Sequence, residues 1–265
     1  MEGHDWLRHR KITAPPFNER NSGMVWAESL RQAREMLDWW KNHDSNSVKS
    51  TDKDTRILSL HVLASAGFGM SYPFTSAREP PSSNFTMTYR EALSLILEYI
   101  LVVIAIPRIL LKLPFVPKNW ARASQATTEF QRYMTDMLEK EKLLISQRAP
   151  GAANLMSSLV RGSEEARQAD TENDKGYNIP KGLTDSEIYG NIFLYNFAGH
   201  ETTGNILTYS ILLLAAHPQW QDWLAEEIEQ VFGDQPYNQA WAYKQFPRLK
   251  RCLAVMVSDM STSTF

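Results

Sequence analysis

TDSEIYGNIFLYNFAGHETTGNILTYSILLLAAHP, from Thr184 to Pro218, is the stretch on which the fold turns. It opens on Thr184-Asp185-Ser186-Glu187, where a threonine and a glutamate three residues later can each satisfy the other's backbone N–H at a helix start. Helical periodicity then runs from Asp185 to about Ala216 and stops before His217-Pro218, because the residue before a proline is pushed out of helical geometry. Ile192 to Phe197 and Ile206 to Leu214 are apolar around most of the circumference, which predicts a helix crossing a protein's centre. Between them lies Ala198-Gly199-His200-Glu201-Thr202-Thr203-Gly204. Its two glycines each cost a helix about 1 kcal/mol relative to alanine.

That heptapeptide admits two readings. In the first, the glycines let a neighbouring helix approach and the threonines bond the preceding turn. In the second, the small Ala198 and Gly199 let a flat ligand lie against the backbone, while the Thr202 hydroxyl bonds the carbonyl of Ala198. Glu201 beside it then forms a relay delivering protons to a bound oxygen species. His200 lacks any His-Glu-x-x-His partner, so it reads as a solvated or satisfied polar residue, and no metal ligand is assigned.

Outward from this helix nearly every segment keeps helical period, and alternating strand-like runs are missing, so the class is mainly α. Helices are predicted over His4 to Thr13, ending at Pro15-Pro16, and over about Val25 to His43. The next covers about Thr55 to Ala66, closed by Gly67 and Gly69. An apolar helix follows Thr88 and breaks around Pro107 to Pro117; another covers about Lys118 to Ser146. Gly162 to Gly182, rich in charge and small polar residues, predicts an exposed loop. Ala92 to Leu113 is interrupted by Glu98, Pro107, Arg108 and Lys112, whereas a spanning helix needs about 20 nearly uncharged residues. It reads as a buried or membrane-touching helix.

The 265 residues are 43% hydrophobic, enough for a sizeable core, and their net charge of -2 offers no basic excess for a phosphate backbone. Nucleic acid is therefore not an expected partner. Cys252 is the single cysteine, which excludes an internal disulfide framework and any multi-cysteine metal site. Met1 to Arg10 carries His4, Asp5, Arg8 and His9, not an apolar run, so it reads as neither signal nor anchor.

Trp6 and Arg10 lie one turn apart on one helical face. An indole N–H and a guanidinium fork are suitable donors to a carboxylate, with His9 and Lys11 raising the local positive potential. The alternative is an exposed Trp and Arg stacked on one another. Together, Trp6-x-x-x-Arg10, the His61 to Gly69 segment, Ala198-Gly-x-Glu-Thr-Thr203 and His217-Pro218-Gln219-Trp220 resemble, in order, the microsomal type of cytochrome P450.

The resemblance implies an incomplete cytochrome P450 fold with a long central helix, partial over 1–256, followed by a divergent polar tail at 257–265. It implies a haem-dependent monooxygenase, an oxidoreductase inserting one oxygen atom from O2 into a small apolar organic substrate, with electrons from an NADPH-dependent reductase. Glu201 and Thr202 are the implied catalytic residues; Trp6, Arg10, Ala198 and Gly199 are the implied haem contacts. An intact parent would sit on the endoplasmic reticulum membrane, whereas this chain, without an anchor, is expected to be cytoplasmic or of unassigned location. After Met256 no Glu-x-x-Arg follows. Around Cys252 the ligand loop's Phe and two Gly are replaced by Gln245, Arg248 and Ala254, so Cys252 reads as a small core residue. The chain by itself is expected to be truncated at both ends and inactive, the alternative being a non-catalytic helical protein that binds lipid or a partner.

Overall fold

The computed structural model describes residues 3–43, 50–75, 84–107, 109–113, 115–147, 149, 154–172, 182–233 and 241–262. Ten α-helices and two short 3-10 turns, with no strand, account for the regular structure among these residues, so the mainly α expectation holds. The chain divides into two compact units, Met1–Pro16 with Ser76–Phe197, and Phe17–Thr75 with Ala198–Phe265. The division falls within one continuous helix.

The first unit contains α1 (His4–Thr13), α4 (Tyr89–Glu98), α5 (Ile100–Ala105), α6 (Lys118–Ser146), α7 (Leu155–Glu172) and the start of α8 (Asp185–Ala216). Thr88 caps α4, its hydroxyl accepting the Glu91 N–H at 3.1 Å. The stripe Tyr89, Ala92, Leu93 and Ile96 is buried along with Ala126, Met134 and Leu138 of α6 and Ile188 and Ile192 of α8. Tyr89 donates to Asn196 Oδ1 at 2.7 Å, which satisfies both buried polar groups.

Several boundaries differ from the sequence reading. The apolar helix after Thr88 already breaks at Tyr99, whose ψ of 27° leaves the helical range. The Val102-Val103-Ile104 run, stiff at χ1, gives α5 little local support, and Ile106 turns extended ahead of Pro107. Of the stretch expected to be a buried or membrane-touching helix, α4 is buried, while Leu101, Ile104 and Ile109, with Phe115 beyond it, are exposed. The loop expected from Gly162 is helix α7 as far as Glu172; residues 173–181 lie outside the described ones. Asn154 starts α7 by accepting the Ser157 N–H at 2.8 Å, buried Leu159 and Val160 anchor it, and Glu164 pairs with Arg167 at 2.6 Å. Gly182 is no exposed loop end either, since an added Cβ would lie 2.5 Å from the Ser163 carbonyl oxygen.

The second unit contains α2 (Glu19–His43), α3 (Thr51–Phe68), the rest of α8, α9 (Pro218–Phe232) and α10 (Lys250–Thr262). α2 starts six residues before the apolar pattern does, because Asn18 accepts the Asn21 N–H at 3.1 Å and caps a polar first turn. α3 starts at Thr51 and ends where expected, on Gly69 in the left-handed conformation at φ 70°. Met36, Leu58 and Phe74 form its core, with Trp39, Trp40 and Leu207 packed against them.

Candidate functional site

α8 begins as its sequence says. Thr184 N–H donates to Glu187 Oε2 at 2.8 Å and Glu187 N–H to Thr184 Oγ1 at 3.2 Å. The same Glu187 also receives Arg8 of α1 at 2.9 Å, while Arg8 reaches the Gly182 carbonyl at 3.0 Å. Hydrogen bonding from Arg8 holds the Glu187 carboxyl far below the usual carboxylate range. Nothing local signals this pairing, because the partners stand 179 residues apart.

Arg8 and His9 thus fix one side of α1. His9 is buried, with Nδ1 at 3.0 Å from Asn191 Nδ2; it does not join Arg10 in a positive patch as the sequence suggested, because its ring is taken up by α8. The other side presents Trp6 and Arg10, both exposed, with the guanidinium 5.3 Å from the indole centroid. That is the stacked arrangement of the alternative reading. It also leaves the guanidinium beside an open groove of about 520 Å³ lined by Leu7, Arg10, Lys11, Ala14 and Pro15.

In the second unit the heptapeptide turns two chemistries to two sides. Ala198, Glu201, Thr202, Tyr209 and Leu212 are exposed, and their spacing puts them on one helical face. Such an exposed face is more than expected of a helix apolar around most of its circumference and crossing the protein's centre. The Thr202 hydroxyl donates to the Ala198 carbonyl at 2.5 Å, as the sequence predicts. Gly199 is turned toward α3, where an added Cβ would touch Leu63 at 3.6 Å, so of the small pair only Ala198 stands on the exposed face.

The opposite side of the same turns packs on α3. His200 is buried, not solvated, and its carbonyl accepts the Ser59 hydroxyl at 2.9 Å. Burial pushes its imidazole below the ordinary histidine value, and Nδ1 has no partner among the described residues. Gly204 meets the backbone of Arg56, and Thr208 Oγ1 lies 2.7 Å from Thr55 Oγ1. The close-packing reading of glycine therefore describes Gly204. Among the described residues no cluster of His, Cys, Asp or Glu could hold a metal ion.

Cys252 sits in the first turn of α10, not in an apolar core. Its N–H and that of Arg251 donate to Glu227 of α9 at 3.1 and 2.8 Å, so a buried carboxylate caps the helix. Burial and then Glu227 push the thiol up to about 11. In this setting the thiol is a poor nucleophile near neutral pH.

The sequence profile described as Cytochrome P450 matches residues 1–254. The chain belongs to the cytochrome P450 family. A curated relative, cytochrome P450 monooxygenase 124 of Postia placenta, is 29% identical over 98% of this chain and 47% of its own length. A cytochrome P450 monooxygenase of Arthrobotrys oligospora is 31% identical over 87% of this chain and 40% of its own. The chain thus spans about half or less of these P450 relatives. The haem domain of cytochrome P450DA shares the fold with a TM-score of 0.66 at 16% identity, over 95% of this chain and 48% of that one. No helix among the described residues is long and apolar enough to cross a membrane.

Proposed function

We propose that residues 1–256 are the part of a haem-dependent monooxygenase that carries the oxygen-side helix, with 257–265 as a divergent tail. The whole enzyme inserts one oxygen atom from O2 into a small apolar organic substrate, fed by an NADPH-dependent reductase at the endoplasmic reticulum membrane. The observation that carries this reading is the exposed face of α8, on which Ala198, Glu201 and Thr202 stand together beside Tyr209 and Leu212. Apolar surface flanking a carboxylate and a hydroxyl is the composition of a ligand wall.

The residues present fit part of the group. Trp6 and Arg10 are exposed donors of the kind that hold propionates, and Ala198 keeps the exposed face of α8 low for a flat ring, whereas Gly199 packs toward Leu63 of α3. Cys252 does not fit as the iron's ligand, since it lies in the first turn of α10 with its N–H on Glu227 of α9, and Gln245, Arg248 and Ala254 stand where a ligand loop has Phe and two Gly. When bound through a thiolate, haem supplies the oxygen-activating chemistry. In this reading Glu201, exposed on α8, is the residue that handles protons, and the Thr202 hydroxyl on the same face donates to the Ala198 carbonyl.

By itself the 265-residue chain therefore forms no thiolate-ligated haem and turns over no substrate. Reduction under carbon monoxide tests this on the purified chain with haem added: the absorption band of thiolate ligation is expected to be absent, and its appearance would refute the assignment of Cys252. A second reading, a non-catalytic helical protein that binds lipid, is favoured by the exposed Leu101, Ile104, Ile109 and Phe115. It expects changes at Thr202 and Arg10 to alter nothing, even in a form given a thiolate loop.

A further inference from the structure

We propose that Arg56 of α3 is a positioning residue for Glu201, seated on α8 through a notch made by Gly204. The proposal rests on the reading of Glu201 as the residue that handles protons. Three observations lead to it.

The first is the approach of the two helices. A Cβ added at Gly204 would lie 2.8 Å from Arg56 Cγ, 3.1 Å from its Cα and 3.3 Å from its backbone nitrogen. Two of these atoms are backbone, which cannot swing aside as a side-chain tip could, so only glycine lets Arg56 cross α8 at this height. A glycine in mid-helix costs stability relative to alanine, and here it is exchanged for the approach of a cation.

The second is where the guanidinium goes once seated. Its Nη1 lies 3.7 Å from Glu201 Oε1 and its Nη2 is 3.4 Å from Asn205 Oδ1. Glu201 and Asn205 are one turn apart, so the planar fork lies along α8 with one prong on each. At 3.7 Å the carboxylate contact is an attraction between charges, not a hydrogen bond. With 42% of the Arg56 and 48% of the Glu201 side chain exposed, it adds little to folding. What it does is narrow the rotamers of a glutamate that would otherwise sweep solvent.

The third is that the surrounding contacts hold Arg56 at that register. Its carbonyl and that of His200 both accept from the Ser59 hydroxyl, at 3.1 and 2.9 Å. One turn earlier along α3, Thr55 meets Thr208 at 2.7 Å, and Thr208 in turn bonds the Gly204 carbonyl at 2.9 Å. These bonds link the two backbones on both sides of the notch, so Arg56 does not slide along α8. The heptapeptide thus uses Gly204 as well as Glu201 and Thr202, and its fourth partner lies on another helix.

The test has two readouts. In the isotopically labelled 265-residue chain, NMR follows rotation about the Arg56 Cζ–Nε bond, which a paired guanidinium slows. Glu201→Gln and Gly204→Ala are each expected to speed it several-fold, and an Arg56 signal indifferent to Glu201→Gln overturns the proposal even if Gly204→Ala fails to fold. In a haem-loaded form completed with a cysteine loop, product formed per reductant consumed is then compared. Arg56→Gln is expected to fall towards the level of Glu201→Gln, Arg56→Lys to recover part of it, and the double variant to be no worse than Glu201→Gln alone. If Glu201→Gln uncouples while Arg56→Gln does not, the positioning role is wrong and the proton reading stands. If Glu201→Gln is itself silent, the proton reading fails.

Discussion

In the first half of α8, from Asp185 to Phe197, the helix is capped at its start, keyed to Arg8, and buried through Ile188 and Ile192. In the second half, from Ala198 to Ala216, the buried side carries His200, Gly204 and Ser210, while Tyr209 and Leu212 face outward. Leu194 and Phe197 are exposed and Asn196 is buried in the first half as well, so what separates the halves is that the second places Glu201 and Thr202 on its exposed face and Gly204 against α3. Glycine and a buried imidazole only weaken a helix held by packing alone. That combination of a carboxylate and a hydroxyl on the exposed face is what the proposed ligand-facing role of the second half rests on.

Substitutions can break or sharpen that contrast. Ile192→Ala, at a fully buried site of the first half, should cost about 2–5 kcal/mol as read from the denaturation midpoint. Next comes Glu187→Gln, which removes the charged partner of Arg8 and should cost about 1.5–3 kcal/mol. The sign with pH follows from its depressed carboxyl. The stabilisation is complete above the ordinary value of 4.5 and is lost as pH falls below it. Acid unfolding of the variant should accordingly be less steep in that range.

The two glycines give the sharpest pairing. Gly190, in the first half, has open space where a Cβ would go, so Gly190→Ala should stabilise by about 0.5–1 kcal/mol. Gly204→Ala forces α3 outward and should destabilise by about 1–3 kcal/mol. Equal and favourable effects at both would contradict the notch. The smallest effect belongs to His200. Burial lowers its pKa, so the folded chain resists protonation and loses stability as pH drops below the ordinary value of 6.5. His200→Gln should flatten stability in that window and leave the acid limb set by Glu187 unchanged.

Much of this was legible in the residues. Thr184, Glu187, Pro218 and Gly69 each act through local chemistry, so the span of α8 and the end of α3 could be read directly. The Thr202 bond to Ala198 joins residues four apart and was equally readable. Charge and polarity misled the reading at Gly162 to Glu172, where buried Ser163 and the Glu164–Arg167 pair belong to a helix. Arg8, Arg56 and Glu227 left no trace, because each acts on a residue distant in the chain through tertiary packing. His9 was placed beside Arg10 for the same reason: adjacency in sequence does not fix which side of a helix a ring takes.

The most direct test of the central claim is the share of reductant converted to product in the haem-loaded form completed with a cysteine loop, with Thr202→Ala set against the unchanged protein. Thr202 is exposed, so the substitution should move the denaturation midpoint by no more than about 0.5 kcal/mol. The account predicts that product yield drops while reductant is still consumed and stability holds. Unchanged yield at unchanged stability would contradict it and leave the heptapeptide as packing alone.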